Sequence, residues 1–261
     1  WESVVIEDLH LTVHGRGWRE PECSRPLLRE YTLGENVEGL HVVLLHADHV
    51  AGTKATSAYV PVCRADLEAL NADYVALGHW HAPQAVWETA GKVRAAYSGA
   101  LEPTNFSEEG PHGYLIGKLG RGGAQVELRP VAARQYRNVW VEVTGLDTME
   151  KVTELARQAL SDIPQEHLVR LILGGERQPD LELDRIRLQG IGQEFFAFFV
   201  EDETTIAYDL ETLSEGYSAK AAFVRRLRSR LEGATAEEQV LLRQALHMGL
   251  DALAGKEVHL P

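Results

Sequence analysis

The chain has 261 residues, 44% of them hydrophobic and 25% charged, enough for one large domain or two ordinary ones with a sizeable core. Its 26 basic and 39 acidic side chains give a formal charge of −13, which argues against a general nucleic-acid coat but not against a nuclease whose phosphate contacts are local and metal-assisted. No apolar run approaches a membrane span and no secretory signal opens the chain. The two cysteines, Cys23 and Cys63, make no disulfide framework and read as ordinary thiols of a cytoplasmic protein. The first residue is Trp1, and the only methionines are Met149 and Met248, so the expectation is a fragment of a longer protein.

Residues 3–13 alternate apolar and polar, which predicts one strand with Val5, Leu9, Leu11 and Val13 on one side, closed by a turn at His14-Gly15-Arg16-Gly17. A loop with one short helix is expected over 19–36. Residues 40–46, Leu-His-Val-Val-Leu-Leu-His, are nearly all apolar, the pattern of a parallel strand buried on both faces, and a polar loop follows over 47–57. Tyr59-Val60-Pro61-Val62 leads into a short amphipathic helix over 64–70, with Leu67 and Leu70 inward. A second strand follows over 74–77 and runs into Gly78-His79-Trp80-His81.

Strand, helix, strand is a βαβ unit, and its right-handed crossover brings both strand ends to one sheet edge, where open α/β sheets bind ligands. His46 ends the first strand, and His79 and His81 follow the second. Side chains two apart in an extended segment share a side, so the pair can converge on one ion with His46 beside it. Gly78 removes a Cβ where the backbone must come close to a ligand or turn.

Beyond this site, strands are expected over 85–87 and 93–97. A hairpin of 114–119 with 125–131 follows across Gly120-Arg121-Gly122-Gly123. That cluster has no Lys-Ser/Thr after it and opens no helix, so it is a turn and not a phosphate loop.

The run from Leu44 to Leu119 resembles the second half of a calcineurin-like metallophosphoesterase domain, in its SbcD/YhaO branch of DNA-repair exonucleases. The matching pieces are Leu45-His46-Ala47-Asp48, Tyr59-Val60-Pro61-Val62, Ala65-Asp66-Leu67 and the run from Asp73 to His81. Tyr97-Ser98-Gly99-Ala100-Leu101-Glu102, Phe106, Glu108-Glu109-Gly110 and Gly113-Tyr114-Leu115 complete them in order. The resemblance implies an α/β fold: the C-terminal half of a four-layer metallophosphoesterase sandwich over 1–131, a small α/β cap over 132–210 and a helical segment over 211–261. It also implies two divalent ions, usually manganese (Mn2+), with His46, His79 and His81 among the metal ligands, and cleavage of DNA phosphodiesters.

The family's earlier motifs, Asp-x-His, Gly-Asp-x-x-Asp and Gly-Asn-His-Asp/Glu, are not all here. The sequence holds no Gly-Asn-His and no Gly-Asp, so the bridging carboxylate, the asparagine ligand and the leaving-group histidine are missing and no catalytic residue is assigned. Asp8-Leu9-His10 matches the first motif superficially, and both residues are read as ordinary strand residues. Two bridged ions lower the pKa of a bound water and neutralise the scissile phosphate. Three histidines without the bridge do not assemble that nucleophile, so the parent is expected to be a nuclease and this chain inactive alone.

In the second part a strand is expected over 139–143, a helix over 148–160, a strand over 169–173, a helix over 181–188 and a strand over 195–200. Phe195, Phe196, Phe198 and Phe199 are read as core in preference to a base-stacking surface. Residues 218–231 form a helix carrying Lys220, Arg225, Arg226, Arg228 and Arg230, and 236–253 form a second, joined across Gly233. By the resemblance this hairpin docks the coiled coil of an SMC-like (SbcC-type) ATPase; the alternative is a solvated basic face. Expected partners are therefore DNA and that ATPase, with no membrane and with a homodimer admitted. Two other functions stay open: a phosphatase or phosphodiesterase acting on small nucleotides, and a non-catalytic cap-and-docking module.

Overall fold

The computed structural model describes residues 1–34, 38–52 and 56–255. The expected loops over 19–36 and 47–57 and the helical segment over 211–261 extend partly beyond the described residues. The fold is mixed α/β, and no described helix is long and apolar enough to cross a membrane. The chain divides into two compact units: residues 1–137 with 166–168, and residues 138–165 with the described residues from 169 onward.

The first unit is built on an eight-stranded mixed sheet. Its strands and its short flanking pair are β1 (Glu2–Ile6), β2 (Leu11–Arg16), β3 (Leu40–His46), β4 (Asp48–His49), β5 (Pro61–Val62), β6 (Tyr74–Gly78), β7 (Gln84–Thr89), β8 (Lys92–Tyr97), β9 (Gly113–Gly120) and β10 (Gly123–Pro130), with helix α1 (Arg64–Ala69) before β6. The sheet order is β1-β2-β3-β6-β8-β10-β9, with β7 paired to β8 and β4 paired to β5 apart from it. Strands β2, β3, β6 and β8 run parallel, and antiparallel strands flank them. Val43 pairs with Val75 and Leu45 with Leu77, and these four point with Tyr97 and Leu67 into one core. The β9–β10 hairpin turns at Arg121-Gly122, the expected glycine turn.

Two expectations for this unit need correction. Residues 3–13 are not one strand. They are a hairpin in which β1 folds back antiparallel on β2, with a 3-10 turn at Glu7–Leu9 and His10 in the left-handed region at φ 47°. Alternation continues through such a turn, so the periodicity could not reveal it. Asp8 and His10 therefore lie in the hairpin turn, and His14, Gly15 and Arg16 lie in β2. Strand β3 is also not buried on both faces: Leu44 is 55% exposed and His46 is exposed, while Val43 and Leu45 are inside. Val4, Val13, Val42 and Ala76 share the Leu44 face by register, so an apolar face of a largely parallel region is open.

On the buried face the same strands carry a second histidine pair. His41 Nε2 lies 3.0 Å from the Glu38 carbonyl, which can only accept, so that nitrogen carries the proton. His41 Nδ1 then accepts from His14 Nε2 at 3.0 Å, and His14 Nδ1 accepts from the Tyr31 and Ser3 hydroxyls at 2.7 and 2.8 Å. The Asp73 carboxylate accepts the His41 and Gly122 backbone N–H groups. Every ring nitrogen of the pair is thus engaged. Burial and then the neighbouring His41 lower the His14 pKa.

The second unit contains β11 (Tyr136–Glu142), α2 (Met149–Leu160), β12 (Leu168–Gly174), β13 (Glu176–Arg177), α3 (Arg185–Ile191), β14 (Ala197–Asp202) and β15 (Thr205–Ile206). Helices α4 (Leu210–Ser214), α5 (Ala219–Leu231) and α6 (Ala236–Leu253) follow. A three-stranded sheet, β11-β12-β14, packs Val141, Leu171 and Phe198 against Val152, Ala156 and Leu188 of α2 and α3. The core expectation for the phenylalanines holds for Phe195 and Phe198, whose rings stack at 5.8 Å, but Phe196 and Phe199 are exposed. Strand alternation places Phe198 and Phe199 on opposite faces, which a run of one residue type conceals. Thr148, Ser218 and Thr235 cap α2, α5 and α6 with their hydroxyls. Leu246 and Leu250 of α6 pack on Val224 and Leu227 of α5, while Val240, Leu241 and Leu253 stay exposed.

Candidate functional site

The site starts from the register of two parallel strands. His46, last in β3, pairs with Gly78, last in β6, so the two strands end together at the carboxyl edge. A Cβ on Gly78 would lie 3.2 Å from His46 Nδ1, so glycine gives the imidazole its room. The chain then turns at His79, whose φ of 119° is a conformation that L side chains rarely adopt. That turn sets the His79 ring edge-on to His46, centroids 5.3 Å apart and planes at 76°.

His81 has an anchor of its own. Extended geometry ends at Gly78, so strand spacing alone does not fix where His81 lies relative to His79. His81 Nδ1 donates to Glu108 Oε1 at 2.9 Å, which leaves its Nε2 as the free lone pair. Glu108 also accepts from the Thr104 backbone and hydroxyl and from the Asn105 amide. Its partial burial would raise the carboxyl pKa, but the bonds from Thr104 and His81 outweigh it and hold Glu108 below the usual carboxylate range. Gly99, at φ 79°, lets the chain pass the His81 carbonyl, where a Cβ would clash at 2.6 Å, and Ala100 N–H bonds that carbonyl at 2.8 Å.

The segment after His46 is fixed from beneath. The Tyr97 hydroxyl donates to the Ala47 carbonyl at 2.7 Å and accepts from His49 N–H at 2.8 Å, and burial pushes its pKa to about 12. Partial burial first, then the neighbouring His79 and His81, lower the His46 pKa, which favours the neutral imidazole whose lone pair a metal can use. Neither the His46 nor the His79 ring has a hydrogen-bond partner among the described residues.

Aromatic rings border the pair. Trp18 lies 5.5 Å from His46, Tyr59 lies 5.0 Å from His79, and Trp80 lies 6.1 Å from His79. Trp80 Nε1 donates to Asp48 Oδ1 at 2.9 Å.

No protein-family model matches this chain, and no curated protein matches it. The chemistry therefore rests on the donors themselves. His46 and His79 come together and His81 is hydrogen-bonded to Glu108, and among the described residues no three His, Cys, Asp or Glu side chains form a set that could hold an ion. The nearby carboxylates are committed, Asp48 to Trp80 and Glu108 to His81, Thr104 and Asn105. A two-ion centre does not fit the described residues of this chain by themselves. Sequence reasoning passed over Asp48, Tyr59 and Glu108 as site residues. The available signal was the tryptophan inside His-Trp-His, a bulky ring at a position where the histidines alone drew attention.

Proposed function

We propose that this chain is the C-terminal part of a metallophosphoesterase-type DNA exonuclease, in which His46 and His79 provide nitrogen donors to a metal centre completed by residues beyond those described. The observation that carries this reading is the pair of imidazoles at the shared carboxyl edge of β3 and β6, their ring nitrogens without hydrogen bonds among the described residues beside a strained His79 backbone. The open apolar face around Val4 and Leu44 supports it as well, because parallel strands are normally covered on both faces and a further layer belongs there. The exposed Val240 and Leu241 on α6 fit a docking role toward a helical ATPase partner. Arg225 and Arg228 of α5 are used internally, on the Ser214, Gly216 and Leu210 carbonyls, which reduces the weight of the basic face.

The test compares DNA-end digestion with manganese by this chain, verified by mass, and by the polypeptide its gene encodes in full. The expected result is no cleavage by this chain, and cleavage by the full product that is lost in His46→Ala and His79→Ala. Cleavage by this chain alone, or an active full product indifferent to both variants, would overturn the reading. The specific observation favouring a non-catalytic docking module is the lack of any three-ligand set among the described residues. That module would bind partner or DNA equally well in both histidine variants.

A further inference from the structure

Strand β14 ends the three-stranded sheet of the second unit, so one row of its backbone groups points away from β12. Just past β14, Glu203 N–H bonds the Leu173 carbonyl of β12. Backbone groups alternate sides along a strand, so Phe199 faces β12 while Phe198 and Val200 face outward. Their outward carbonyls are capped. Gln189 Nε2 donates to the Phe198 carbonyl at 2.6 Å, and Arg185 donates to the Val200 carbonyl at 3.0 Å. These two side chains, one turn apart on α3, hold the acceptor positions that an added strand would use. The N–H groups of Phe198 and Val200 point the same way.

Beside this edge a groove of about 580 Å³ lies between α3 and the start of β14. Ile186, 86% exposed, and Phe196, 59% exposed, form its apolar walls. Its floor is tight at Gly192, where a Cβ would run into the Phe198 ring. Among the described residues that line it Arg185 is the only charged side chain, in a chain of charge −13.

We propose that this groove binds an extended acidic peptide segment of a partner protein, added as a fourth strand beside β14. The occupant follows from bonding and charge. An extended backbone brings N–H groups to the Phe198 and Val200 carbonyls and carbonyls to their N–H groups, replacing both caps. A helix has its own backbone bonds satisfied and cannot do so. Alternate apolar side chains of the peptide meet Ile186 and Phe196, and a peptide carboxylate takes the Arg185 guanidinium as it leaves the Val200 carbonyl. The groove lies within the second unit, and the proposal does not depend on the histidine site.

The test is fluorescence anisotropy of a labelled peptide of about eight alternating valine and glutamate residues, titrated with the whole chain. Saturable binding is expected, and it should vanish when lysine replaces glutamate in the peptide. Ile186→Ser and Arg185→Ala should each weaken binding about tenfold, through lost apolar and charge-assisted contacts. Gln189→Ala should tighten it about threefold, because a competing donor is gone. In the parent chain, bound peptide should slow hydrogen exchange at the Phe198 and Val200 amides and leave Phe199, which already faces β12, unchanged. Circular dichroism checks that each variant keeps its fold. No binding by the parent chain, equal binding of the lysine peptide, or unchanged exchange at Phe198 and Val200 overturns the proposal. So does a Gln189→Ala variant that self-associates without taking up peptide, since the caps then only guard the edge.

Discussion

The first unit holds two histidine clusters on one set of strands, and they were built for opposite purposes. His41 lies near the start of β3 and His46 ends it, five residues on and on the other face. At His14 and His41 every ring nitrogen has a partner, and the chain of bonds from Tyr31 through both rings to the Glu38 carbonyl runs in one direction. At His46 and His79 the rings meet edge to face with no hydrogen bond among the described residues, on a backbone held in a rarely populated conformation. Satisfied polar groups stabilise a fold, and unsatisfied ones beside strain are what a binding site retains. The difference between the clusters therefore lies in bonding and not in residue type.

The largest contrast is in stability. His14→Ala leaves His41 Nδ1 and the Tyr31 hydroxyl without their partner inside the fold and should cost about 2 kcal/mol by urea denaturation. His46→Ala, at an exposed residue whose ring has no hydrogen bond among the described residues, should stay within about 0.5 kcal/mol of the parent. Equal losses would erase the distinction.

A smaller effect comes with pH. The His14 pKa is lowered in the fold by burial and then by His41, so the unfolded chain takes up protons first as pH falls. The stability that neutral His14 contributes is complete above its unfolded pKa of about 6.5 and is lost as pH drops through the folded value. Protonated His14 would place two N–H groups on Tyr31 and Ser3 at one side and His41 at the other, and Asp73, paired with Arg121, accepts the His41 backbone N–H. The urea midpoint should therefore fall between about pH 7 and 5 more steeply in the parent than in His14→Gln. Parallel slopes would assign the acid sensitivity to other groups.

The smallest effect has the opposite sign. His79→Gly relieves the φ of 119° and should raise stability by about 0.5 kcal/mol, the relief of strain being partly offset by glycine's greater freedom when unfolded. It should also remove metal binding at the site. A destabilised His79→Gly would mean that the ring itself holds the fold together.

How much of this was legible beforehand depends on the range of the interaction. Periodicity placed β3, β6, the β9–β10 hairpin, α2 and α6 within a few residues, because each is decided by its own pattern of burial. The parallel pairing of β3 and β6, and hence the common location of His46 and His79, followed from the βαβ order. Local pattern could not reveal the turn at residues 7–10, since a hairpin keeps the alternation of the strand it replaces. Nor could it reveal the bond from His81 to Glu108, which joins residues 27 apart. The His14–His41 bond joins positions 27 apart on neighbouring strands and has no sequence signature at all.

The most direct measurement is a long-range proton–nitrogen spectrum of the histidine rings during addition of manganese. Selective broadening of His46 and His79, with His14 and His41 each unmoved in a single tautomer, is the result expected of one open and one closed cluster. Broadening at His14 and His41, or none at His46 and His79, would contradict it.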